Sequence, residues 1–349
     1  MGFGKPPKEF ATKTLNEGVI IPGLVNAHCR LEHSALKDRL SAKNSPYDFE
    51  RKIENISSKP IAQQQRRAAF DEIEFAYKRG TYFYNEVSRD AKFSDFLRSA
   101  DHFKGNRFVE VVGMKNEEDE QAILEAMLAM DNDPHLLPTP HSVYRSSAKV
   151  MQFVRDRSRY TSMTINLFQE NEEWDYPMEK GALFKIIKQA GEYERQPELY
   201  HTPPLSYLKA MGMLSFKKLF LVDLTFANRR EIDFLNEEIP HSAWVLCHRS
   251  DIFYQHQRKN WALLHQSPVK MLIGTGSVCT SVNASVLDEI FEISKKGEIS
   301  EAELFTAATF SAYEYMELHP SRIPYFLFPE AKPNIESIHS VDHAQILRG

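Results

Sequence analysis

The feature that most constrains the fold of this 349-residue chain is a set of eight short apolar segments, each followed by a polar turn and a stretch with helical spacing. Several segments are nearly continuous in apolar residues, as is typical of parallel strands covered on both faces. They lie at residues 18–27, 80–87, 107–114, 135–140, 160–168, 218–226, 242–248 and 269–276. Eight strand–helix repeats predict an α/β fold of the (β/α)8 TIM barrel type rather than a doubly wound sheet.

Local signals predict the helix ends in the last third of the chain. Asn283 is the predicted N-cap of the helix after the eighth strand, and Gly297 is its predicted stop. Ser300 and Glu303 have the spacing of a capping box at the start of one further helix. The connection 169–217 is long for a barrel loop, so we expect it to hold an extra helix or a lid over the barrel mouth.

Composition argues against several classes of function. The net charge of −5 and the pI near 6.2 disfavour a nucleic-acid partner, which basic side chains would have to neutralise. No apolar run has the length of a membrane span, which requires about 18 residues. The cysteines, Cys29, Cys247 and Cys279, have no CxxC spacing. We therefore expect a cytoplasmic protein with no membrane and no nucleic-acid partner.

The carboxyl ends of the strands form the mouth of such a barrel, where its chemistry is found. The residues predicted there are His28, Arg30, Glu86, Glu110, His141, Asn166, Asp223, His248 and Gly276. This ring of side chains could bind a polar ligand, but it is not a convincing set of metal ligands.

Five motifs in the order expected for one family accompany these strand ends. They are IPGLVNAHCRLEHS, TPHSVYRSS, TINLFQENEEW, LFLVDLTFANRR and LIGTGSVCTS. In this order the chain, from about residue 18 to about 315, resembles the amidohydrolase superfamily, in particular its deaminase and chlorohydrolase-like branch. The resemblance implies a metal-dependent hydrolase barrel in which histidines on strands one, five and six and a carboxylate on strand eight hold the metal.

Most of the positions that the resemblance marks as catalytic carry other residues here, and we treat them as vestigial. His28 is kept, whereas the remaining positions hold Arg30, Asn166, Gln169, Asp223 and Gly276. A guanidinium has a permanent charge and no lone pair, and an amide cannot exchange a proton near neutral pH. We therefore expect no catalytic residues, no metal and no cofactor. Any metal would have only His28 and Asp223 as ligands.

The leading hypothesis is a pseudoenzyme that keeps the barrel and acts by binding. The predicted ligand-binding residues are Glu32, His141, Tyr144 and Ser277. We expect a protein partner or a homo-oligomer, and a small molecule in the barrel mouth is a further prediction. Arg30 is expected to form an ion pair with Asp223, or else to bind an anionic ligand.

Three other interpretations stay open at this point. The first is an active hydrolase or deaminase acting on non-peptide C–N bonds, with zinc or iron at a rebuilt site of His28, Asp223, His141 and Glu170. The second is a metal-free lyase or isomerase with Arg30 as electrophile. The third is a thiolate site formed by the cysteines.

The ends of the chain are predicted to differ from the family. Residues 1–17 form a short N-terminal extension, 18–319 the barrel, and 320–349 a C-terminal tail that packs on the barrel. The small β-sandwich that usually flanks such barrels is predicted to be reduced or absent. An uncovered side of the barrel would favour a partner.

Overall fold

A computed structural model describes residues 17–40, 45–57 and 62–347. The predicted N-terminal extension therefore lies, apart from residue 17, outside the described residues. Within the described ranges no helix has the length and hydropathy needed to cross a membrane.

Twelve strands are present in the described residues. In chain order they are β1 (Val19–Pro22), β2 (Leu24–Arg30), β3 (Thr81–Ser88), β4 (Gly105–Val111), β5 (Leu136–Pro140), β6 (Ser162–Leu167), β7 (Lys218–Asp223), β8 (Ala243–Leu246), β9 (Lys270–Ile273), β10 (Gly276–Ser277), β11 (Tyr325–Phe328) and β12 (Gln345–Leu347).

Helices separate most of these strands. They are α1 (Pro46–Ser57), α2 (Ala62–Lys78), α3 (Ala91–Leu97), α4 (Asn116–Asn132), α5 (Ala148–Ser158), α6 (Gly181–Gln189), α7 (Pro204–Ala210), α8 (Arg229–Glu238), α9 (His248–Phe253), α10 (Trp261–His265), α11 (Val278–Ser281), α12 (Val286–Ser294), α13 (Glu301–Ala308), α14 (Phe310–Met316) and α15 (Ile335–His339). Short 3-10 helices lie at Leu31–Leu36, Asn171–Trp174, Tyr176–Met178, Met213–Ser215 and Pro320–Arg322.

The parallel strands form two sheets that adjoin at two seams. One sheet has the order β10-β2-β3-β4-β5 and the other the order β6-β7-β8-β9. At the first seam the Asn166 amide N–H donates to the His141 carbonyl over 2.9 Å, and at the second the Thr275 N–H donates to the His28 carbonyl over 3.0 Å. The predicted α/β fold of the (β/α)8 barrel type is confirmed.

Burial on both faces explains why the strand segments are almost continuously apolar. Every residue of β2 and of β6 is buried, because helices cover the outer face of each sheet and side chains from other strands cover the inner face. The polar residues of these strands are buried as well, and they concentrate at the carboxyl end of β2. This end of the barrel is therefore the place to look for a site.

A small antiparallel sheet lies beside the barrel, so the predicted side sandwich is reduced rather than absent. Its strand order is β1-β11-β12, and β1 and β11 pair from Val19 with Phe328 to Pro22 with Tyr325. The single first strand predicted at 18–27 was wrong. The chain changes sheets at Gly23, where an added Cβ would lie 2.7 Å from the Cβ of Tyr82.

The predicted helix ends are partly confirmed. Ser300 and Glu303 form the capping box of α13. The N-cap of α12 is Ser285, so the prediction of Asn283 was wrong. The Asn283 side chain instead accepts hydrogen bonds from the Ser285 N–H at 3.0 Å and from Arg249 at 2.9 Å. The one helix predicted after Ser300 is two, divided at Thr309, and the connection 169–217 contains α6 and α7.

We expect Asn26→Ala to lower the free energy of unfolding by about 2–4 kcal/mol, because it leaves buried polar groups of the second seam without partners. The fully buried Asn26 donates to Thr275 Oγ1 at 2.8 Å and to the Ala284 carbonyl at 3.2 Å, and it accepts from the Thr275 N–H at 3.1 Å. Urea unfolding measures the loss. The exposed Gln63→Ala control should stay within about 0.5 kcal/mol of the native protein, and an equal loss in both would contradict the assignment.

Candidate site at the barrel mouth

The carboxyl ends of the parallel strands surround a small cavity, which we name the mouth cavity. Its volume is about 20 Å³, which leaves room for about one water molecule. Its lining includes all six vestigial positions and two of the predicted ligand-binding residues, namely His28, Arg30, His141, Asn166, Gln169, Asp223, Gly276 and Ser277. Of the residues predicted at the mouth, Glu86, Glu110 and His248 do not line this cavity, and the space is much smaller than a substrate pocket.

Arg30 occupies the centre of this group of side chains. It lies at the end of β2 and is 3% exposed. Its two terminal nitrogens donate to the two carboxylate oxygens of Glu110, one of them over 2.9 Å, in the bidentate geometry that suits a guanidinium. The same group approaches Asn166 Oδ1 at 3.4 Å. Burial alone would raise the pKa of Glu110, but the charged Arg30 and Arg89 guanidinium groups outweigh burial and hold this pKa well below its usual range.

The predicted ion pair between Arg30 and Asp223 was wrong. The partner of Arg30 is Glu110, because the Asn166 amide lies between the guanidinium and Asp223 and donates to Asp223 Oδ2 over 2.8 Å. Burial raises the pKa of Asp223 to about 7, and the nearby Asp251 carboxylate contributes to the rise. Asp223 therefore has a hydrogen-bond partner but no direct cationic partner at the mouth.

Helix α1 covers the mouth through a second set of charged contacts. Arg89 donates to Glu110 at 2.9 Å and to Glu50 of α1 at 3.3 Å, and it also binds Glu54 of α1. Glu50 lines the mouth cavity. The start of α1 is held as well, because the Tyr47 N–H donates to Glu170 over 2.8 Å. These contacts close the barrel mouth with a helix of the same chain.

Helix α1 and its two arginine partners, Arg89 and Arg145, were not predicted from the sequence. Arg145 binds Glu54 of α1, as Arg89 does. The available signal was the position of Arg89, which immediately follows β3, and of Arg145, which is four residues beyond the predicted His141. Arg89 and Arg145 both lie within a few residues of a strand end, so a predicted mouth that included those following residues would contain them.

The residues at the positions where the resemblance implies a metal do not fit a divalent metal ion. In the part of the chain that the structure describes, no group of three or more His, Cys, Asp or Glu side chains is placed to hold one. The charged Arg30 guanidinium lies beside the two remaining donors, His28 and Asp223. Burial, with Arg30 next in importance, lowers the pKa of His28 to about 3, so this imidazole is neutral. The electrostatic repulsion of Arg30 opposes a cation here.

The backbone at Gly276 adds a steric reason. Its φ of +65° lies in the left-handed region, and an added Cβ would come within 2.8 Å of Ser250 Oγ. A carboxylate-bearing residue at this position would be strained, since residues with a Cβ rarely adopt this conformation. The local backbone conformation therefore favours glycine at position 276.

The predicted ligand-binding residues lie in two places. His141 and Ser277 line the mouth cavity, whereas Glu32 and Tyr144 line a larger cavity beside it. Ser277 Oγ is hydrogen-bonded to His33 Nδ1 at 2.9 Å, and Glu32 accepts from the backbone N–H groups of residues 89 and 90. Their polar groups thus already have partners within the chain.

His141 and Tyr144 differ in this respect. His141 Nδ1 and the Tyr144 hydroxyl are both buried, and neither has a hydrogen-bond partner among the described residues. Burial lowers the pKa of His141 to about 3, which keeps its imidazole neutral. Their rings meet edge to face with centroids 6.3 Å apart. A role of these two residues in ligand binding stays a prediction.

The geometry gives no support to a thiolate site. All three cysteines are free and buried. Burial raises the pKa of the Cys29 and Cys247 thiols well above their usual value and that of Cys279 to about 12. Cys29 Sγ instead lies 3.0 Å from Glu86 Oε2, to which it donates. Neutral thiols are poor nucleophiles and poor metal ligands.

Comparison with known proteins identifies the fold. The sequence matches no family model and no curated protein. The aminofutalosine deaminase of Helicobacter pylori, in complex with methylthio-coformycin, is similar in structure with a TM-score of 0.76 at 16% identity, over 95% of this chain and 84% of that one. An adenosine deaminase from Xanthomonas campestris with bound zinc gives a TM-score of 0.72 at 15% identity, over 94% and 78% of the two chains.

A third structure extends the similarity to the chlorohydrolases. The atrazine chlorohydrolase of Arthrobacter aurescens, complexed with zinc, gives a TM-score of 0.69 at 11% identity, over 93% of this chain and 81% of that one. The similarity to the deaminase and chlorohydrolase-like branch of the amidohydrolases, first indicated by the five sequence motifs, is confirmed at the level of the fold.

We expect Arg30→Met to lower the free energy of unfolding by about 3–5 kcal/mol, since it leaves the Glu110 carboxylate buried without its main partner. The double variant Arg30→Met with Glu110→Gln should recover part of this loss, because the uncompensated charge is gone. Urea unfolding of the two single variants and the double variant measures the interaction. Strictly additive losses would contradict the ion pair.

The raised pKa of Asp223 predicts a specific pH dependence. An unfolded aspartate ionises near pH 3.9, whereas the folded one ionises near 7, so its stabilising effect is complete below about pH 4 and is lost as the pH rises through about 7. Asp223→Asn should therefore gain stability relative to the native protein between about pH 5 and about pH 8. Unfolding curves at both pH values test this. The exposed Asp71→Asn control should show no such gain.

Proposed function

We propose that this chain is a pseudoenzyme: a barrel of the amidohydrolase type that has lost metal-dependent hydrolysis and acts by binding another molecule. The observation that carries the proposal is the buried Arg30–Glu110 ion pair at the centre of the mouth. A fixed positive charge with its own carboxylate partner stands among the positions where the family resemblance places the metal. We further propose a cytoplasmic location, which the three free cysteines support.

The lack of space at the mouth supports the same proposal. A cavity of about 20 Å³ holds about one water molecule, so a purine or triazine ring does not fit while α1 is in place. Proton transfer also lacks its expected group, since the position of the family's proton-shuttling glutamate holds Gln169. Glu170, its neighbour, does not line the mouth cavity but binds the Tyr47 N–H. Neither the space for a substrate ring nor a glutamate at the proton-shuttling position supports the family's reaction at this mouth.

One observation favours the second candidate, an active hydrolase or deaminase for non-peptide C–N bonds with zinc or iron. Asp223 has a pKa near 7 and shares the mouth cavity with the neutral imidazoles of His28 and His141. A carboxyl group that titrates near neutral pH is suited to act as a general base. The one-water cavity and the Arg30 charge count against this candidate.

Elemental analysis and a substrate screen distinguish the two candidates. The purified protein, expressed in medium supplemented with zinc and iron, is assayed for bound metal and for turnover of aminopurine nucleosides, aminotriazines and simple amides. The pseudoenzyme predicts well under a tenth of a metal ion per chain and no turnover. Near-stoichiometric zinc or iron, together with turnover that Asp223→Asn abolishes, would establish the active enzyme instead.

Metal removal should leave the stability unchanged, because a ligand that stabilises a protein must bind its folded state. We expect the same thermal midpoint with and without a strong chelator, within the error of the measurement. A drop of several degrees that zinc reverses would contradict the proposal. A zinc-containing deaminase of the same fold serves as the positive control for the chelation.

The binding function is proposed to use residues that still present free polar groups. His141 and Tyr144 are the best candidates, because their buried nitrogen and hydroxyl have no partner among the described residues. Glu32 and Ser277 would act as supporting contacts. The bound molecule would be a protein partner, a second copy of this chain or a small ligand.

A further inference from the structure

A long groove lies beside the closed mouth, and we name it the side groove. Its volume is about 920 Å³, far larger than the mouth cavity. The groove lies along α4 and is bounded by the C-terminal halves of α1 and α6. Its apolar lining includes Ile53, Val109, Met114, Ala122, Ala126 and Ile187. A binding space far larger than the mouth cavity therefore lies on the flank of the barrel, away from the vestigial metal positions.

Small residues on α4 keep the side groove open. Ala122, Ala126 and Ala129 follow one another at helical spacing and line the groove from one face of the helix. The lining extends along α4 from Glu118 to Asn132, a length of about 21 Å at 1.5 Å per residue. This length matches a helix of about four turns laid along the groove.

Helix α4 also carries exposed apolar side chains on its solvent-facing side, roughly opposite the three alanines. Leu124, Met127 and Leu128 are 52%, 37% and 56% exposed, and they recur at the spacing of a single helical stripe. Leu128 also lines the groove. Of these three residues only Leu128 therefore adds an exposed apolar side chain to the groove lining.

The charge of the side groove is predominantly negative. Its acidic lining residues are Glu32, Glu54, Asp90, Glu110, Glu118, Glu125 and Glu192, whereas its basic ones are Arg89, Lys92 and Arg145. Both arginines are held by carboxylates of the groove itself. Glu125 has no ion pair within the described residues, and Glu118 has only the exposed Lys115, 3.7 Å away. The groove is therefore complementary to a cationic occupant.

We propose that the side groove binds an amphipathic helix of a partner protein, with its apolar face on the alanines of α4 and its basic residues against Glu118 and Glu125. This inference rests on the proposed binding function and names its partner class. Groove length, the alanines along α4 and the acidic charge together favour a helix over a small ligand. The interaction leaves the closed mouth undisturbed.

A synthetic helix tests the proposal without knowledge of the natural partner. The probe is a fluorescein-labelled peptide of about 14 residues, made of leucine and lysine at helical spacing, added to the full-length protein near physiological salt. We expect saturable binding by fluorescence anisotropy. Two peptide controls should bind at least about tenfold more weakly: one with glutamate in place of lysine, and one of equal charge with two central prolines.

Variants of the groove locate the binding. Ala122→Trp, which fills the groove, and the exposed Leu128→Lys should each weaken binding by about tenfold or more. Phe310→Lys, at an apolar residue that is 64% exposed elsewhere, is the matched control and should have no effect. Glu118→Lys with Glu125→Lys should weaken binding more than Glu237→Lys with Glu298→Lys, which changes the net charge equally at exposed sites.

Three outcomes would overturn the inference. The first is no binding, or equal binding to all variants, which would mean nonspecific attraction to an acidic protein. The second is equal binding of the proline peptide, which would exclude a helix. The third is a dimer that Leu128→Lys dissociates, which would make a second copy the occupant. None of these outcomes changes the metal content, so failure here is distinguishable from failure of the proposed function.

Discussion

The buried ion pair between Arg30 and Glu110 is the interaction on which the rest of the mouth depends. A charge removed from water costs several kcal/mol unless it is paired and hydrogen-bonded. Arg30 meets this requirement with a bidentate contact to Glu110 and a further contact to Asn166. The pair keeps a positive charge in the barrel without a bound ion, and the surrounding polar groups are arranged around it.

The ion pair also explains why the mouth is closed. Glu110 accepts from Arg89 as well as from Arg30, and Arg89 in turn binds Glu50 and Glu54 of α1. The charges of the mouth and of the covering helix therefore form one network. Opening the mouth would separate Glu50 and Glu54 of α1 from Arg89. Each of these charged groups would then lose part of its charge compensation. A closed, charge-compensated mouth is compatible with a scaffold and unfavourable for substrate exchange.

The spacing of apolar residues along the chain determined how much of the structure could be predicted from the sequence. The eight parallel strands were found because strands buried on both faces leave an unbroken apolar signal. The ring of strand-end residues follows from that, since strand ends converge in a barrel, whereas the vestigial positions were identified from the family resemblance. Helix α1, PYDFERKIENIS, buries Tyr47, Phe49 and Ile53 beside Glu50, but it was missed because it is an extra helix between β2 and β3, outside the repeat of one helix per strand. Arg30 pairs with Glu110 and not with Asp223 because Asn166 lies between Arg30 and Asp223. No sequence pattern indicates this position of Asn166.

A crystal structure from crystals grown with zinc, with anomalous data collected at the zinc edge, tests the central claim most directly. The account predicts no anomalous peak between His28 and Asp223, and an Arg30 guanidinium that remains on Glu110. A strong peak coordinated by His28 and Asp223, with Arg30 turned away from the mouth, would contradict it.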